Sequence, residues 1–419
     1  MVNRKPFIQP VMRWAFVLAA FCFSSSLRAQ NCVDFLLPQY ETWSEMDVVY
    51  GTAERYNGTT ATLAMNIFKP VGDENTQRPL LIMVHGGGFH EGNRNQMNEL
   101  CQWYASRGYV AATISYRLGF HHVLAPVFPV DVHELIRAMY RGMQDCRGAI
   151  RFLKERANVD STDVNRVAVL GGSAGGFIAL HTAYMDQPDE KPSSAGALGP
   201  ILLSPRPDLG PIEGTMNLNG WDTQIQAVVN IYGAMRDTSL ITSHLDPPVY
   251  AYHQSQDPVV HCNRMKPYWA LVPDANNPLV DGSCAIQAKT TMLNFPEQHA
   301  VFHIYDGDEH DVHNIELVDQ EIAVFLNHHL CQVTTSMEEE HRVADFVIFP
   351  NPSYGMLNIE SSRPVQSVEL YDMAGNLRKT SAVQQRNIFS IDATGLPAGM
   401  YVVRLWTDAG IYHQKVVLK

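Results

Sequence analysis

Short apolar runs alternate with longer stretches of helical periodicity between residues 46 and 330. The runs typical of strands lie at 47–50, 61–68, 80–84, 109–115, 167–170, 225–232, 248–252 and 301–305. The stretches with apolar residues at helical spacing lie at 96–107, 132–153, 177–185 and 315–326. Because strands that alternate with helices form parallel sheets covered on both faces, this pattern predicts an α/β fold with a mostly parallel sheet.

The pattern changes after Cys331. Residues 333–343 are polar and acidic and are predicted to form a linker. Residues 344–419 contain short strand-like runs separated by turns rich in Gly, Pro and Asn. The chain therefore has a predicted second domain at 344–419, a small all-β sandwich.

The N-terminus has the order of a secretory signal. Basic residues precede an apolar run at 14–21, and small and polar residues then lead to Ala29. The run is shorter than the ~20 residues of a membrane span, which argues against the alternative of a transmembrane anchor. We therefore predict a signal peptide at 1–29 and a first folded domain at 30–332.

The charge and the length narrow the range of partners. The chain has 419 residues, which is long enough for two domains, and a formal net charge of −12. An acidic chain of this kind is a poor partner for nucleic acid or anionic membranes, since both are themselves negative.

The cysteines fit an exported protein. Of the seven, one lies in the predicted signal peptide, and the even remainder is compatible with disulfides. Cys262 and Cys284 enclose a segment rich in Pro and Asn and form the predicted pair. For Cys101 and Cys146, which lie on helical patterns, buried free thiols are an equal alternative. The sequence has no C-x-x-C pair, so a zinc site is not expected.

The stretch Gly-Gly-Ser-Ala-Gly-Gly at 171–176 directly follows the strand-like run at 167–170. A tight glycine turn is one interpretation. The other is that a serine on a sharp turn between strand and helix exposes its hydroxyl at the carboxyl edge of the sheet. Small neighbours then allow the two backbones to cross closely. This context predicts Ser173 as a nucleophile and the N–H of Ala174, at the helix start, as an oxyanion donor.

A second glycine motif, His-Gly-Gly-Gly-Phe at 85–89, follows the longest buried strand run. The N–H groups of Gly87 and Gly88 are predicted as oxyanion donors beside Ala174, and His85 is predicted to orient the loop. A flexible turn and a phosphate loop are alternatives, but the motif lacks the Gly-Lys-Ser/Thr ending of the phosphate loop. Two such motifs, each at the end of its strand, favour a catalytic site.

These two motifs, together with Ser-Tyr-Arg-Leu-Gly at 115–119, resemble the α/β-hydrolase superfamily. The resemblance is to carboxylesterases related to hormone-sensitive lipase and to feruloyl and acetyl-xylan esterases, and it spans about residues 45–330. It implies a Ser-His-Asp triad whose acid and base follow the serine in the chain. It also implies hydrolysis through an acyl-enzyme without a cofactor.

The resemblance implies Asp257 as the acid and His310 as the base. Asp257 follows a strand in an Asp-Pro-Val loop, although a simple Asx turn would look the same, and Asp281 is a poorer candidate because it follows no strand. His310 lies between the last strand and the closing helix. Acidic residues flank it where the family often has glycine, so His313 remains an alternative base.

Acidic residues near His310 also suggest a calcium site, but the 12-residue loop that such a site requires is absent, and no metal is expected. The segment at 262–284 is predicted to form a wall over the substrate pocket. An insertion at 186–222, rich in Pro and Gly, is also predicted to shape that pocket.

Four motifs in the second domain resemble the C-terminal sorting domain of Bacteroidetes type IX secretion substrates. They are FPNPSYG at 349–355, VELYDMAGN at 368–376, LPAGMYVV at 396–403 and KVVLK at 415–419. The resemblance implies that the type IX machinery is a partner and that the protein reaches the cell surface or the medium. A carbohydrate-binding sandwich is the alternative.

The predicted function is that of a secreted serine carboxylesterase. A serine peptidase of the same fold is an alternative, although it would usually carry a large additional domain before the hydrolase. A non-catalytic adhesion protein on the same scaffold is another, although such proteins usually lose the serine or the histidine. Acetyl or feruloyl esters of plant polysaccharides, simple acyl esters and polyesters are all compatible with the sequence.

Overall fold

The described part of the computed structural model covers residues 35–123, 128–201, 203–270, 276–331, 346–372, 377–407 and 410–419. The predicted signal peptide and linker lie outside these residues. The chain divides into two units, Met1–Val333 and Thr334–Lys419.

The first unit is built on an eight-stranded sheet. Its strands are β1 (Glu41–Glu54), β2 (Thr60–Val71), β3 (Arg78–Val84), β4 (Val110–Ile114), β5 (Thr162–Gly172), β6 (Ala227–Ile231), β7 (Val249–Gln254) and β8 (Ala300–Tyr305). Their order across the sheet is β1-β2-β4-β3-β5-β6-β7-β8. β2 is antiparallel to β1 and β4, and all other neighbours are parallel, so the prediction of a mostly parallel sheet is confirmed.

Helices pack on both faces of this sheet. They are α1 (Asn98–Ala105), α2 (His133–Glu155), α3 (Ala174–Tyr184), α4 (Ser283–Met292) and α5 (Ile315–Leu330). Because successive side chains of a strand point to opposite faces, the fully buried β3 contributes to two cores. Leu80, Ile82 and Val84 belong to the core with α2 and α3, whereas Leu81 and Met83 belong to the core with α1 and α5.

Short elements occupy the connections. Two small sheets pair Leu198–Ile201 with Ser204–Arg206, and Val280–Gly282 with Arg264–Met265 and Ala234–Met235. The single helical turns are Arg94–Met97, Ala157–Asp160, Pro188–Glu190, Ser193–Ala195, Thr238–Leu240 and Glu297–His299. No helix in the described part of the chain is both long and apolar enough to cross a membrane.

The second unit consists of antiparallel strands, as its pattern of short runs and turns predicts. They are β9 (Phe346–Phe349), β10 (Met356–Asp372), β11 (Leu377–Asp392), β12 (Gly399–Thr407) and β13 (Gly410–Leu418). The first part of β10 pairs with β9 and its last part with β12, while β11 pairs with both parts. All five strands belong to one sheet, which packs on a core that includes Leu357, Val368 and Leu405.

The first and last sorting motifs meet in this unit. The N–H of Ser353 donates to the carbonyl of Val417 at 2.8 Å, and the N–H of Lys419 donates to the carbonyl of Ser353 at 2.8 Å. Residues from the two ends of the second unit are therefore joined by backbone hydrogen bonds.

Candidate active site

Ser173 occupies a strained turn between β5 and α3. Its backbone has φ 52° and ψ −121°, a conformation that L-residues rarely adopt and that costs about 1–3 kcal/mol. A Cβ on Gly171 would lie 2.0 Å from the carbonyl oxygen of Gly175, and one on Gly175 would lie 2.0 Å from that of Val84. The glycines around the serine are thus required by close backbone contacts, as the sequence predicts.

The structure brings Ser173, His310 and Asp257 together at the carboxyl edge of the sheet. The Oγ of Ser173 lies 2.9 Å from Nε2 of His310, and Nδ1 of that histidine lies 2.6 Å from Oδ2 of Asp257. The N–H at Nδ1 donates to the carboxylate, which leaves Nε2 free to accept the serine proton. This arrangement can activate a hydroxyl as a nucleophile.

The carboxylate of Asp257 is fully buried and held in one orientation. Its Oδ1 accepts hydrogen bonds from the N–H groups of Val259 at 2.8 Å and Val260 at 2.9 Å. The indole N–H of Trp269 also donates to its backbone carbonyl at 2.7 Å. Both oxygens of the side chain therefore have fixed partners, and only Oδ2 faces His310.

His313 and Asp281, the alternatives for the base and the acid, lie away from Ser173. His313 stacks on Tyr305 with ring centroids 3.7 Å apart, and its Nδ1 lies 3.0 Å from the hydroxyl of Tyr252. Asp281 forms an ion pair with Arg264 at 2.9 Å. Neither of them contacts the serine in the described structure.

The glycine loop after β3 lies against the serine turn. Gly87 and Gly88 have φ values of +107° and +57°, which favour glycine at both positions. Gly88 and Ala174 line a cleft together with Ser173, whereas Gly87 does not line it. Among the described residues, no backbone carbonyl accepts from the N–H groups of Gly88 or Ala174. Both donors are therefore available to a ligand in the cleft.

His85 is a buried part of this loop. Its Nδ1 lies 2.7 Å from the carbonyl of Gly86, its ring stacks on Tyr116 with centroids 4.5 Å apart, and its Nε2 has no partner among the described residues. Burial lowers its pKa to about 4. A neutral, immobile ring of this kind supports the loop, in agreement with the predicted orienting role.

The cleft beside Ser173 has a cavity volume of about 50 Å³ and a mostly apolar lining. The lining side chains are Phe89, Leu135, Ile136, Met139, Phe177, His181, Arg236, Val259, Val260, Pro267, Tyr268, Pro278 and Val280. The last four of these residues belong to the segment between Cys262 and Cys284, and these two cysteines form the predicted disulfide. The prediction that this segment forms a wall of the pocket agrees with the structure.

The expectation for the insertion at 186–222 is wrong. None of its described residues lines the cleft. Instead, it packs along α2, where Glu213 forms ion pairs with Arg147 at 2.8 Å and Arg151 at 2.9 Å. The pattern of prolines and glycines shows that the segment is a loop, but which surface it covers depends on these long-range ion pairs.

Three residues near the site are absent from the sequence-based candidates. Tyr232 lies against His310 with ring centroids 4.6 Å apart, and the hydroxyl of Tyr268 would lie 2.8 Å from a Cβ on Gly88. Burial raises the pKa of Tyr232 to about 12, so its phenol stays neutral beside the imidazole. Tyr232 directly follows β6, and its place at the carboxyl edge of the sheet could have identified it.

The third residue, His253, lies behind the acid. Its Nε2–H donates to the carbonyl of Val260 at 2.6 Å, and its Nδ1 accepts from the hydroxyl of Ser283 at 2.8 Å. Burial lowers its pKa to about 4. The ring is therefore neutral and supports the loop that carries Asp257. Among the described residues, no group of three or more His, Cys, Asp or Glu side chains is arranged to hold a metal ion.

Residues 65–244 match the family described as BD-FAE, and residues 347–419 match the family described as the secretion system C-terminal sorting domain. The first unit is thus similar to an esterase-type family over part of its length, and the second unit is similar to a sorting domain. The first match includes the glycine loop and Ser173, while Asp257 and His310 lie beyond its end. The sorting domain directs the protein by type IX secretion to the cell surface or the exterior.

The chain is also similar to individual proteins. It is 31% identical to Gut esterase 1 of Caenorhabditis elegans over 115 residues, which is 27% of this chain and 19% of the relative. It is 22% identical to Acylamino-acid-releasing enzyme 1 of Oryza sativa subsp. japonica over 256 residues, which is 61% of this chain and 30% of the relative. The chain thus spans less than a third of the length of these curated relatives. The solved apo form of Thermogutta terrifontis esterase 2 has a TM-score of 0.44 and 17% identity, and the match covers 68% of this chain and 92% of the other.

Proposed function

We propose that this protein is a secreted serine carboxylesterase in which Ser173, His310 and Asp257 are the catalytic residues. The observation that carries the proposal is the hydrogen-bonded series from the serine Oγ to Nε2 at 2.9 Å and from Nδ1 to the carboxylate at 2.6 Å. It agrees with the match of residues 65–244 to an esterase-type family.

Acylation begins when the Oγ of Ser173 attacks the carbonyl carbon of the ester. His310 takes the hydroxyl proton at Nε2, and Asp257 stabilises the imidazolium that forms. The N–H groups of Gly88 and Ala174 donate to the oxygen that becomes negative in the tetrahedral intermediate, and Gly87 precedes Gly88 in the same loop. The imidazolium then gives its proton to the leaving alcohol, and the acyl group remains on the serine.

Deacylation repeats these steps with water as the nucleophile. His310 takes a proton from the water as it attacks the acyl carbon, and the same backbone donors stabilise the second oxyanion. The proton then returns to the Oγ of Ser173, and the carboxylic acid is released.

The apolar cleft supports esters whose acyl or alcohol part is hydrophobic. Phe89, Phe177 and Tyr268 place aromatic rings along its lining. An aromatic acyl group such as feruloyl can pack against such rings. Feruloyl or acetyl esters of plant polysaccharides are therefore the substrates we propose.

Active-site titration tests the reaction type. An organophosphate should label the wild-type protein at one site per chain, and peptide mapping should find the label on Ser173. Ser173→Ala should be unlabelled and should retain less than about a thousandth of the wild-type kcat on p-nitrophenyl esters. Ser255→Ala, which changes a partly exposed serine in the loop before the acid, is the matched control and should behave as wild type.

The same assay separates the alternatives. A non-catalytic scaffold would react with neither the organophosphate nor the esters. A peptidase would hydrolyse acyl-aminoacyl amides at a higher kcat/KM than the corresponding esters. A panel of p-nitrophenyl esters of increasing chain length, with methyl ferulate and acetylated xylan, then identifies the acyl group that fits the cleft.

We also propose that the second unit acts only in secretion. A chain ending at residue 331 should keep full activity on soluble esters and stay in the periplasm of a host with type IX secretion. The second unit fused to an exported fluorescent protein should reach the cell surface or the medium. If the truncated enzyme were still secreted but no longer bound insoluble polysaccharide, the second unit would be a carbohydrate-binding domain instead.

A further inference from the structure

A second cavity, of about 320 Å³, lies on the side of α2 opposite the catalytic cleft. Leu135 and Met139 of this helix line the cleft, whereas Arg137, Arg141 and Gln144 line the second cavity. The latter three follow one another at intervals of four and three residues and so share one helix face. The two cavities are therefore separated by the body of the helix.

Arg141 is the buried cation of this cavity. Its side chain is only 2% exposed, and its single hydrogen bond within the described structure runs from Nη2 to the carbonyl of Gly119 at 2.8 Å. Its Nε is buried without a partner. The neighbouring Arg117 is neutralised by Asp145 at 2.7 Å, but no carboxylate pairs with Arg141 among the described residues. An uncompensated buried charge is strongly unfavourable, so this site is suited to an anion.

Arg137 adds a second positive charge without a counter-ion. Its guanidinium donates to three backbone carbonyls, those of Ser194, Gly196 and Pro207, at 2.6–2.9 Å. These bonds engage three of the five N–H donors of the guanidinium and leave its charge in place. Within the described chain, it forms no ion pair.

The acidic groups that line the cavity are already engaged or exposed. Glu134 pairs with Arg206 at 3.2 Å, and Asp208 pairs with Lys191. Glu54 is exposed at the rim. The cavity therefore retains an excess of positive charge in its interior.

The neighbouring His121 responds to this charge. Burial is the largest cause of its lowered pKa; the charge of Glu134, next in size, raises the pKa, and the charges of Arg141, Arg206 and Arg137 lower it further. Protonation of the His121 imidazole is disfavoured because the nearby guanidinium groups already make this region positive.

We propose that this cavity is a binding site for the oxyanion group of a ligand, such as a carboxylate, a sulfate or a phosphate. Arg141 lines the cavity, and a guanidinium carries its charge and N–H donors in the planar arrangement that carboxylates and phosphates prefer. Arg55 is exposed and lines the same cavity, so it stands where an anion would enter. The volume also admits an organic anion such as a sugar acid.

Isothermal titration at constant ionic strength tests the site, with sodium sulfate, sodium phosphate and sodium glucuronate as probes and sodium chloride as the reference. At least one probe should bind saturably at one site per chain. Arg141→Met should weaken that binding at least tenfold. Arg147→Met, which changes an equally buried arginine of α2 that lies outside this cavity and pairs with Glu213, is the matched control and should stay within twofold of wild type.

The order of affinities identifies the source of the anion. Tighter binding of glucuronate than of the inorganic ions assigns the site to an organic carboxylate, and the reverse order assigns it to a free or esterified phosphate or sulfate. Circular dichroism checks the fold of each variant. If Arg141→Met does not fold, Arg55→Gln, which changes an exposed residue of the same cavity, tests the proposal instead and should weaken binding at least twofold. Saturable binding by none of the probes, or equal weakening by Arg141→Met and Arg147→Met, would overturn the proposal.

Discussion

Replacing Asp257 with asparagine tests the orientation of the proposed base more sharply than removing the acid. The change keeps the shape of the side chain and replaces one oxygen by an NH2 group. Because Oδ1 accepts from the N–H groups of Val259 and Val260, the amide oxygen must take that position. The NH2 group then faces His310 and donates to Nδ1, which places the ring proton on Nε2, where it can no longer accept from Ser173.

The size of the effect follows from the alternative orientation of the amide. Turning the amide oxygen toward the histidine would restore the active tautomer but leave two buried N–H donors unsatisfied. Each such donor costs about 1–3 kcal/mol, so the active orientation lies about 2–6 kcal/mol higher. At about 1.4 kcal/mol per factor of ten, kcat should fall by about 30-fold to 10⁴-fold. The upper end agrees with the loss of about 10⁴ known for this change in a serine protease triad.

The assay compares Asp257→Asn with Asp311→Asn, which changes an exposed carboxylate next to the same histidine. Steady-state hydrolysis of p-nitrophenyl acetate gives kcat, and the rate of labelling by an organophosphate reports the reactivity of the serine directly. Both rates should fall together in the first variant and stay within threefold of wild type in the second. A loss of less than tenfold in Asp257→Asn, with the fold intact, would refute the argument that this carboxylate orients the base.

His310→Ala should lower kcat to the level of the serine variant, whereas His313→Ala should keep at least a third of the wild-type kcat; the opposite ranking would contradict the assignment of the base. The protein should lose stability as the pH falls from about 6.5 to 4. Burial lowers the pKa of His181 and His253 to about 4 in the folded state, so the unfolded chain binds more protons in that window. Each histidine accounts for about 3 kcal/mol at pH 4, and urea unfolding that gave equal free energies at pH 7 and pH 4.5 would contradict this. Replacing both Cys262 and Cys284 with serine should lower the free energy of unfolding by about 3 kcal/mol, because the disulfide closes a loop of 22 residues. The same change should raise KM, because this loop lines the cleft. If the free energy of unfolding and KM were both unchanged, the disulfide would not hold this wall of the cleft in place.

Several features of the site were predictable because they depend on neighbours in the chain. A glycine-flanked serine after a buried strand predicts the turn at Ser173, and three glycines after β3 predict the donor loop. Both motifs lie at the carboxyl ends of parallel strands, which meet at one edge of the sheet. The residues on each motif could therefore be placed at that edge from the sequence alone.

Contacts between distant segments were not predictable in the same way. Ser173 and His310 are separated by 137 positions, and whether His310 or His313 contacts the serine depends on how the loop after β8 folds. Stacking of His313 on Tyr305 turns that ring away from the site. The sequence could not decide which of the two histidines contacts the serine, because both follow the same end of the same strand.

The sequence by itself determined the two-part organisation, the α/β pattern and the positions of the serine turn and the glycine loop, because each depends on local periodicity and backbone conformation. Only the tertiary structure decided what the two loop segments cover. The segment from Cys262 to Cys284 lines the cleft, while the insertion at 186–222 packs along α2. It also decided that Arg137 and Arg141 share a cavity, where neither forms an ion pair with another described residue. Burial and charge compensation are properties of the whole packed molecule, and a linear pattern of residues contains neither.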